Sequence, residues 1–184
     1  MDHPKSQQLS RRTTLRGLAL AALTVPLVSA CNAESDTSGS DTSPNRAIVE
    51  RLYAALRNKD ADGVRTAIEE GFAPDAVNRI SESMPYGGTT TGREGILNLF
   101  AGFVTATTPI IPPEQITVER MVEEEDFIVA WVAFPWIAPG ASEPIPMWAS
   151  EWFTFRDGRV SEMVVSYWDS AACLAAMEAA AANS

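Results

Sequence analysis

The sequence predicts an α+β fold in which helices lie on one face of a curved antiparallel sheet. Three observations point to it. From about residue 46 apolar residues recur at helical spacing, and after residue 113 they alternate with period two instead. The tripeptide Arg156-Asp157-Gly158 separates two of these alternating runs, where a tight hairpin turn belongs. Helical segments therefore come first and a meander of strands follows, the order expected when helices gather on one side of a sheet. With 184 residues, 46% hydrophobic and 21% charged, the chain has room for one ordinary globular domain.

Ahead of that domain, Ser10-Arg11-Arg12-Thr13-Thr14-Leu15-Arg16 precedes an apolar run from Gly17 to Ala30. The run is shorter than the ~20 residues a membrane-spanning helix needs, and Pro26 interrupts it, so it reads as a secretory leader. The pair Arg11-Arg12 resembles the twin-arginine export signal, with Thr14 where that signal often has Phe. Leu27-Val28-Ser29-Ala30-Cys31 is similar to a lipobox, in which a peptidase cuts before a cysteine that carries lipid. Residues 1–30 are thus expected to be a twin-arginine lipoprotein signal peptide and Cys31 the lipidated residue, simple cleavage after Ala30 being the alternative. Residues 31–45 have no apolar face and are expected to form a flexible tether. The expected location is the cell envelope, periplasmic or on the outer cell surface, with the membrane touched only through the lipid anchor.

Of the 14 basic and 24 acidic residues the leader takes four and one, so the remainder has a formal charge of −13. A surface of that sign repels phosphate backbones, which excludes nucleic acid as a partner. The only cysteines, Cys31 and Cys173, stand at opposite ends of the chain, and Cys173 reads as a small buried residue of the last helix.

The domain is expected at residues 46–178. Arg46 to Asn58 places Ile48, Val49, Leu52, Ala55 and Leu56 on one helical stripe. Asp60 or Asp62 can cap a second helix, which turns Val64, Ala67 and Ile68 inward and closes at Gly71. Asp75 to Ile80 reads as a short strand and Pro85-Tyr86-Gly87-Gly88 as a turn. A third helix begins at Gly92-Arg93-Glu94, carries Ile96, Leu97, Leu99, Phe100 and Phe103, and ends before Pro109, Pro112 and Pro113. Strands are then expected at about 114–122, 126–137, 145–155 and 159–168, and an Ala-rich helix from Ser170 to about Ala180. Residues 179–184 are expected to be a disordered tail.

In this order the pieces resemble the nuclear transport factor 2-like superfamily and, within it, the SnoaL-like domains. The resemblance rests on Val49-Glu50-Arg51-Leu52-Tyr53-Ala54-Ala55-Leu56 with Asp60-Ala61-Asp62-Gly63, on Phe72-Ala73-Pro74-Asp75-Ala76, on Gly92-Arg93-Glu94-Gly95-Ile96, on Phe153 to Val160 and on Tyr167-Trp168-Asp169. It implies a cone: a cystatin-like α+β roll whose curved sheet wraps round three helices and leaves an apolar pocket open at one end.

The chemistry open to such a pocket is narrow. The sole histidine, His3, lies in the leader, so the domain has no Ser-His-Asp or Cys-His catalysis and no histidine metal site. No cofactor and no metal are expected. Two acids stand within apolar strand sequence. Glu151 shares a period-two face with Met147 and Phe155, and burial there would raise its pKa and make it a proton donor near neutrality; the alternative is an outward Glu151 with Trp148 and Trp152 inward. Asp169 ends the last strand in phase with Tyr167, and its position resembles that of the water-activating base of limonene-epoxide hydrolase, although that enzyme's Arg-x-Asp pair is replaced here by Ala130-Trp131-Val132-Ala133. The alternative for Asp169 is a cap on the helix that follows. Glu151 also resembles the protonated acid of the ketosteroid isomerase oxyanion hole. The tyrosine and the base of that enzyme, however, fall at Leu52 and Ile80.

Tyr53, Asn78, Arg79, Glu82, Tyr86, Trp131 and Tyr167 are the candidate ligand-binding residues, with solvated-hairpin or plain core roles as the alternatives. Trp148 and Trp152 share the other face of their strand, a pattern that suggests a homodimer interface. The leading expectation is a lipid-anchored domain that holds a small apolar molecule in its cone. The alternatives are a cofactor-independent lyase, isomerase or hydrolase using Glu151 and Asp169, and a structural envelope partner that docks through the sheet face.

Overall fold

The computed structural model describes residues 42–182. Arg11, Arg12, Cys31 and the leader and most of the tether that go with them lie outside the described residues.

Helix α1 (Pro44–Arg57) starts two residues before position 46 because Ser43 caps it. The Ser43 hydroxyl accepts from the Arg46 N–H at 3.0 Å, and Pro44 supplies a first-turn φ without wasting a donor. The same hydroxyl donates to Glu123, which ties the start of the helix to a strand 80 residues later. Helix α2 (Ala61–Gly71) is capped by Asp60, whose carboxylate accepts from Gly63 N–H at 2.9 Å. Strand β1 (Phe72–Ile80) leaves α2 directly and therefore begins three residues before Asp75. The hairpin that the sequence reads as a turn continues into a further strand, β2 (Gly88–Thr91), and α3 (Arg93–Thr105) follows.

The strand expected from Glu114 starts later. Pro113–Gln115 forms a single 3₁₀ turn, since a proline has no N–H for a ladder, and β3 (Thr117–Glu124) follows it. Then come β4 (Phe127–Trp136), β5 (Ile145–Arg156) and β6 (Arg159–Tyr167), the last two joined by a turn with Asp157 and Gly158 both at positive φ. Helix α4 (Ser170–Ala182) runs through residues 179–182, where the sequence suggests a tail.

The sheet has six strands in the order β2-β1-β6-β5-β4-β3. It is mixed, not purely antiparallel: β1 pairs with β6 in parallel, while the other neighbours run antiparallel. No local pattern announces this pairing, because it joins the first strand to the last across about 80 residues and the α3 crossover. Register shifts interrupt β1 between Phe72 and Val77, β3 between Val118 and Arg120, and the β5–β6 pair between Thr154 and Phe155. On β6 the unpaired residue is Ser161, which is why Val160 and Met163 are both buried although three positions apart. Bulges of this kind bend and twist a strand, and here they give the sheet a concave face.

That face is apolar. It presents Ile128, Ala130, Val132, Phe134 and Trp136 from β4 and Met147, Ala149 and Phe153 from β5, all buried. Leu52 and Val49 of α1 and Val64 and Ile68 of α2 complete the core. No helix among the described residues is long and apolar enough to cross a membrane.

Candidate functional site

A cavity of about 490 Å³ lies between the concave face and the helices. Its size falls in the range that encloses a small organic molecule. Strands β1, β4, β5 and β6 form the floor with Asn78, Ile80, Phe134, Glu151, Met163, Val165 and Tyr167. Helix α1 contributes Tyr53 and Leu56. Helix α3 and the proline-rich segment after it supply Leu99, Phe100, Gly102, Phe103, Ile110 and Ile111.

Glu151 reaches this wall through simple alternation. It is two residues from Ala149 and from Phe153, both fully buried, and faces Val165 on β6 and Ala130 on β4. Tyr53 arrives from the opposite layer, because Val49, Leu52, Tyr53 and Leu56 fall on one helical stripe at i, i+3, i+4 and i+7. Its hydroxyl donates to Glu151 Oε2 at 2.7 Å, and its ring meets Phe153 edge-on at 6.4 Å between centroids.

Desolvation pushes the Glu151 carboxyl up to about 7, and the hydrogen bond from Tyr53 offsets part of that rise. No ion pair among the described residues includes Glu151. Tyr53 is itself held well above the ordinary phenol value, first by burial and then by the carboxylate beside it. The pair therefore keeps a proton near neutrality that an exposed glutamate would have lost.

A second polar cluster occupies another part of the wall. Tyr86 and Tyr167 share a hydrogen bond of 2.7 Å, and Trp136 Nε1 donates to the Tyr86 oxygen at 2.9 Å. Burial pushes Tyr86 up to about 12, against the lowering effect of those two bonds, and raises Tyr167 well above its usual value. The buried Cys173 of α4, its thiol raised to about 11 by desolvation, completes that neighbourhood.

Asn78 differs from both clusters. It is 1% exposed, and its Oδ1 has no hydrogen-bond partner. Met163 is its β6 register partner, and Met163 in turn pairs with Phe153, so Asn78 stands two strands away from Glu151 and one pleat along.

Of the nine expected site residues, the cavity thus gathers Tyr53, Asn78, Tyr86, Glu151 and Tyr167 and leaves out four. Asp169 is exposed, and its Oδ1 accepts from Ala172 N–H at 2.9 Å; it caps α4 and does not line the cavity. Arg79 points to the outer side of β1, where it pairs with Glu162 at 2.8 Å and reaches Thr89. Glu82 is exposed on the hairpin. Trp131 lies between the buried Ala130 and Val132, so alternation puts it on the convex face, edge-on to Trp168 at 5.7 Å. Leu52 is core, and the next residue, Tyr53, is the one that enters the cavity.

The α3 wall of the cavity is one that the residue types alone do not single out. Its signal is nevertheless in the sequence, since Ile96, Leu97, Leu99, Phe100, Phe103 and Val104 cover a wider arc than the ~100° a core-facing helix needs. Part of that arc packs in the core, and Leu99, Phe100 and Phe103 face the hollow. Among the described residues no group of three or more His, Cys, Asp or Glu side chains is placed to hold a metal.

A family model of the SnoaL-like domain matches residues 49–163. Solved structures share the fold. TerC, co-crystallized with polyporic acid, is 23% identical with a TM-score of 0.58, over 74% of this chain and 99% of its own. An NTF2-like protein of unknown function from Burkholderia pseudomallei K96243 is 19% identical with a TM-score of 0.59, over 73% and 98%. A protein with a ketosteroid isomerase-like fold from Catenulispora acidiphila DSM 44928, in complex with trimethylamine, is 20% identical with a TM-score of 0.51, over 65% and 84%. No curated protein matches the chain.

Proposed function

The chain belongs to the SnoaL-like domain family, and on that premise we propose that it binds a small, mainly apolar molecule in the cavity between α3 and the concave sheet. The observation that carries the reading is the cavity itself: about 490 Å³, walled by aliphatic and aromatic side chains, with a few polar groups at fixed points. Solved structures of the same fold have been crystallised with small molecules, polyporic acid in one and trimethylamine in another, which is consistent with a ligand-holding role. Export, the lipid on Cys31 and residence in the cell envelope belong to the same proposal and rest on the leader sequence.

The test uses N-phenyl-1-naphthylamine, a neutral apolar fluorophore whose emission rises in apolar surroundings. The natural protein is expected to raise its emission saturably, and Leu99→Trp, which fills the α3 wall, to weaken that binding at least tenfold with the melting temperature unchanged. Equal binding by both proteins would sink the reading.

A second reading, a cofactor-independent lyase or isomerase, is favoured by one observation: the Glu151 carboxyl, near 7 and bonded to Tyr53, can give or take a proton at neutral pH. It rests on Glu151 without Asp169, whose carboxylate serves α4. For this reading Glu151→Gln abolishes turnover of a converted ligand, whereas for a pure binder it changes affinity alone. The convex sheet face, where Val122, Trp152 and Trp168 are 58%, 45% and 73% exposed, supports a homodimer contact over a lone monomer. A Trp168→Glu variant that still sediments as a dimer would count against that contact.

A further inference from the structure

The polar groups of the cavity are not alike. Tyr53 and Glu151 satisfy each other, and so do Tyr86, Tyr167 and Trp136. Asn78 is the one polar residue among those described that is fully buried, and its carboxamide oxygen has no protein donor. An amide oxygen in that position has a strong, directional demand. Asn78 lines the cavity, so a guest seated against it must bring a donor of its own or leave the oxygen orphaned.

The backbone makes this demand a fixed one. Asn78 sits in the interior of β1 with a partner on each side, Thr90 of β2 and Met163 of β6. Its side chain stands between the apolar inward positions of Ala76 and Ile80, of which Ala76 is fully buried. Neighbours of that kind offer it no alternative hydrogen bond.

We propose that Asn78 is the specificity determinant of the cavity, selecting apolar molecules that carry a hydroxyl or N–H group able to donate to its Oδ1 over hydrocarbons and ethers of the same shape. The proposal rests on the binding reading above and narrows it to a class: a ring-sized hydrophobic body with at least one donor. The discrimination comes chiefly from the penalty on the wrong ligand. An ether brings only an acceptor to an acceptor and leaves the buried oxygen unpaired, and sites built round such a group reject the analogue that lacks the donor.

The experiment compares 2-naphthol with 2-methoxynaphthalene, which share a ring system and differ in the donor, by titration calorimetry at pH 6. The natural protein is expected to bind 2-naphthol at least about tenfold more tightly. Asn78→Leu, close in volume and without polar atoms, is expected to remove the preference by weakening 2-naphthol while leaving 2-methoxynaphthalene as tight or tighter. Its melting temperature without ligand is expected to be no lower than that of the natural protein, because no native hydrogen bond to Oδ1 is lost.

A preference that persists in Asn78→Leu would assign the donor contact to another group and overturn the proposal. So would equal affinity for the two probes in the natural protein, or a lower melting temperature or failure to fold in Asn78→Leu, which would show that the amide serves the fold. Failure of both probes to bind the natural protein overturns this proposal together with the cavity reading. Equal binding of the two overturns the proposal alone.

Discussion

The concave and convex faces of the sheet are made by the same strands, yet they have opposite characters. On β5, Phe153 is fully buried on the concave side while its neighbour Trp152 is 45% exposed on the convex side. On β4, Ala130 and Val132 are buried and Trp131 between them meets Trp168 on the outside. Both faces are rich in aromatic residues, so hydrophobicity does not separate them. What separates them is cover: helices roof the concave side and stand off it far enough to leave a cavity, whereas the convex indoles meet only neighbouring rings of their own face, Trp131 against Trp168 and Trp152 against Phe127. Burial gives each aromatic ring inside a large share of the stability, and it makes Glu151 and Asn78 costly unless something answers them.

The largest test of this contrast compares adjacent residues. Phe153→Ala should cost about 3–5 kcal/mol, the usual loss for truncating a large core side chain, while Trp152→Ala should cost about 1 kcal/mol or less. Urea midpoints at an unchanged m-value measure both. Equal losses would break the distinction between the faces. A Trp152→Ala loss that grows with protein concentration would sharpen it by showing that a second copy covers the convex side.

The next effect comes from pH. Glu151 is raised from 4.5 to about 7, so the folded chain holds its proton more tightly than the unfolded chain. Below about pH 4.5 both states are protonated and the residue carries no penalty. Between 4.5 and 7 the unfolded chain ionises first, so stability falls as pH rises, and above 7 the loss stays constant at about 3 kcal/mol. Glu151→Gln should flatten this part of the profile and be more stable than the natural protein at pH 8, with little difference at pH 4. Chemical denaturation across that range decides it, and parallel profiles for the two proteins would place Glu151 in contact with water.

The smallest effect belongs to Asp169. Asp169→Ala removes a helix cap and should cost about 1 kcal/mol while leaving ligand affinity in the cavity unchanged. A loss of affinity with α4 intact by circular dichroism would return Asp169 to the site.

These residues also mark how far the sequence can be read. Period-two alternation groups Glu151 with Met147 and Phe155 but leaves the choice of face open; burial of Met147 and Phe155 and the cavity lining put that group on the inner face. The same rule applied to β4 puts Trp131 outside. An aromatic side chain suggests a cavity wall, but phase on the strand, not ring chemistry, decides which face it joins. Strand β1 turns only alternate residues inward, Ala76, Asn78 and Ile80, so Arg79 faces out, and Glu82 lies exposed beyond the strand end. Tyr53 is legible as a candidate from its residue type, yet its bond to Glu151 crosses 98 positions and depends on how α1 seats on the sheet.

The amino-acid pattern by itself determined the order of the helices and the longer strands, the hairpin at Asp157-Gly158 and the lack of any histidine in the domain. Each follows from interactions a few residues in range. Tertiary structure alone decided the parallel pairing of β1 with β6, the bulges that curve the sheet, the hollow left under α3 and the union of Tyr53 with Glu151. Those depend on which distant surfaces meet and on the space that remains between them, quantities that no local spacing of residues contains.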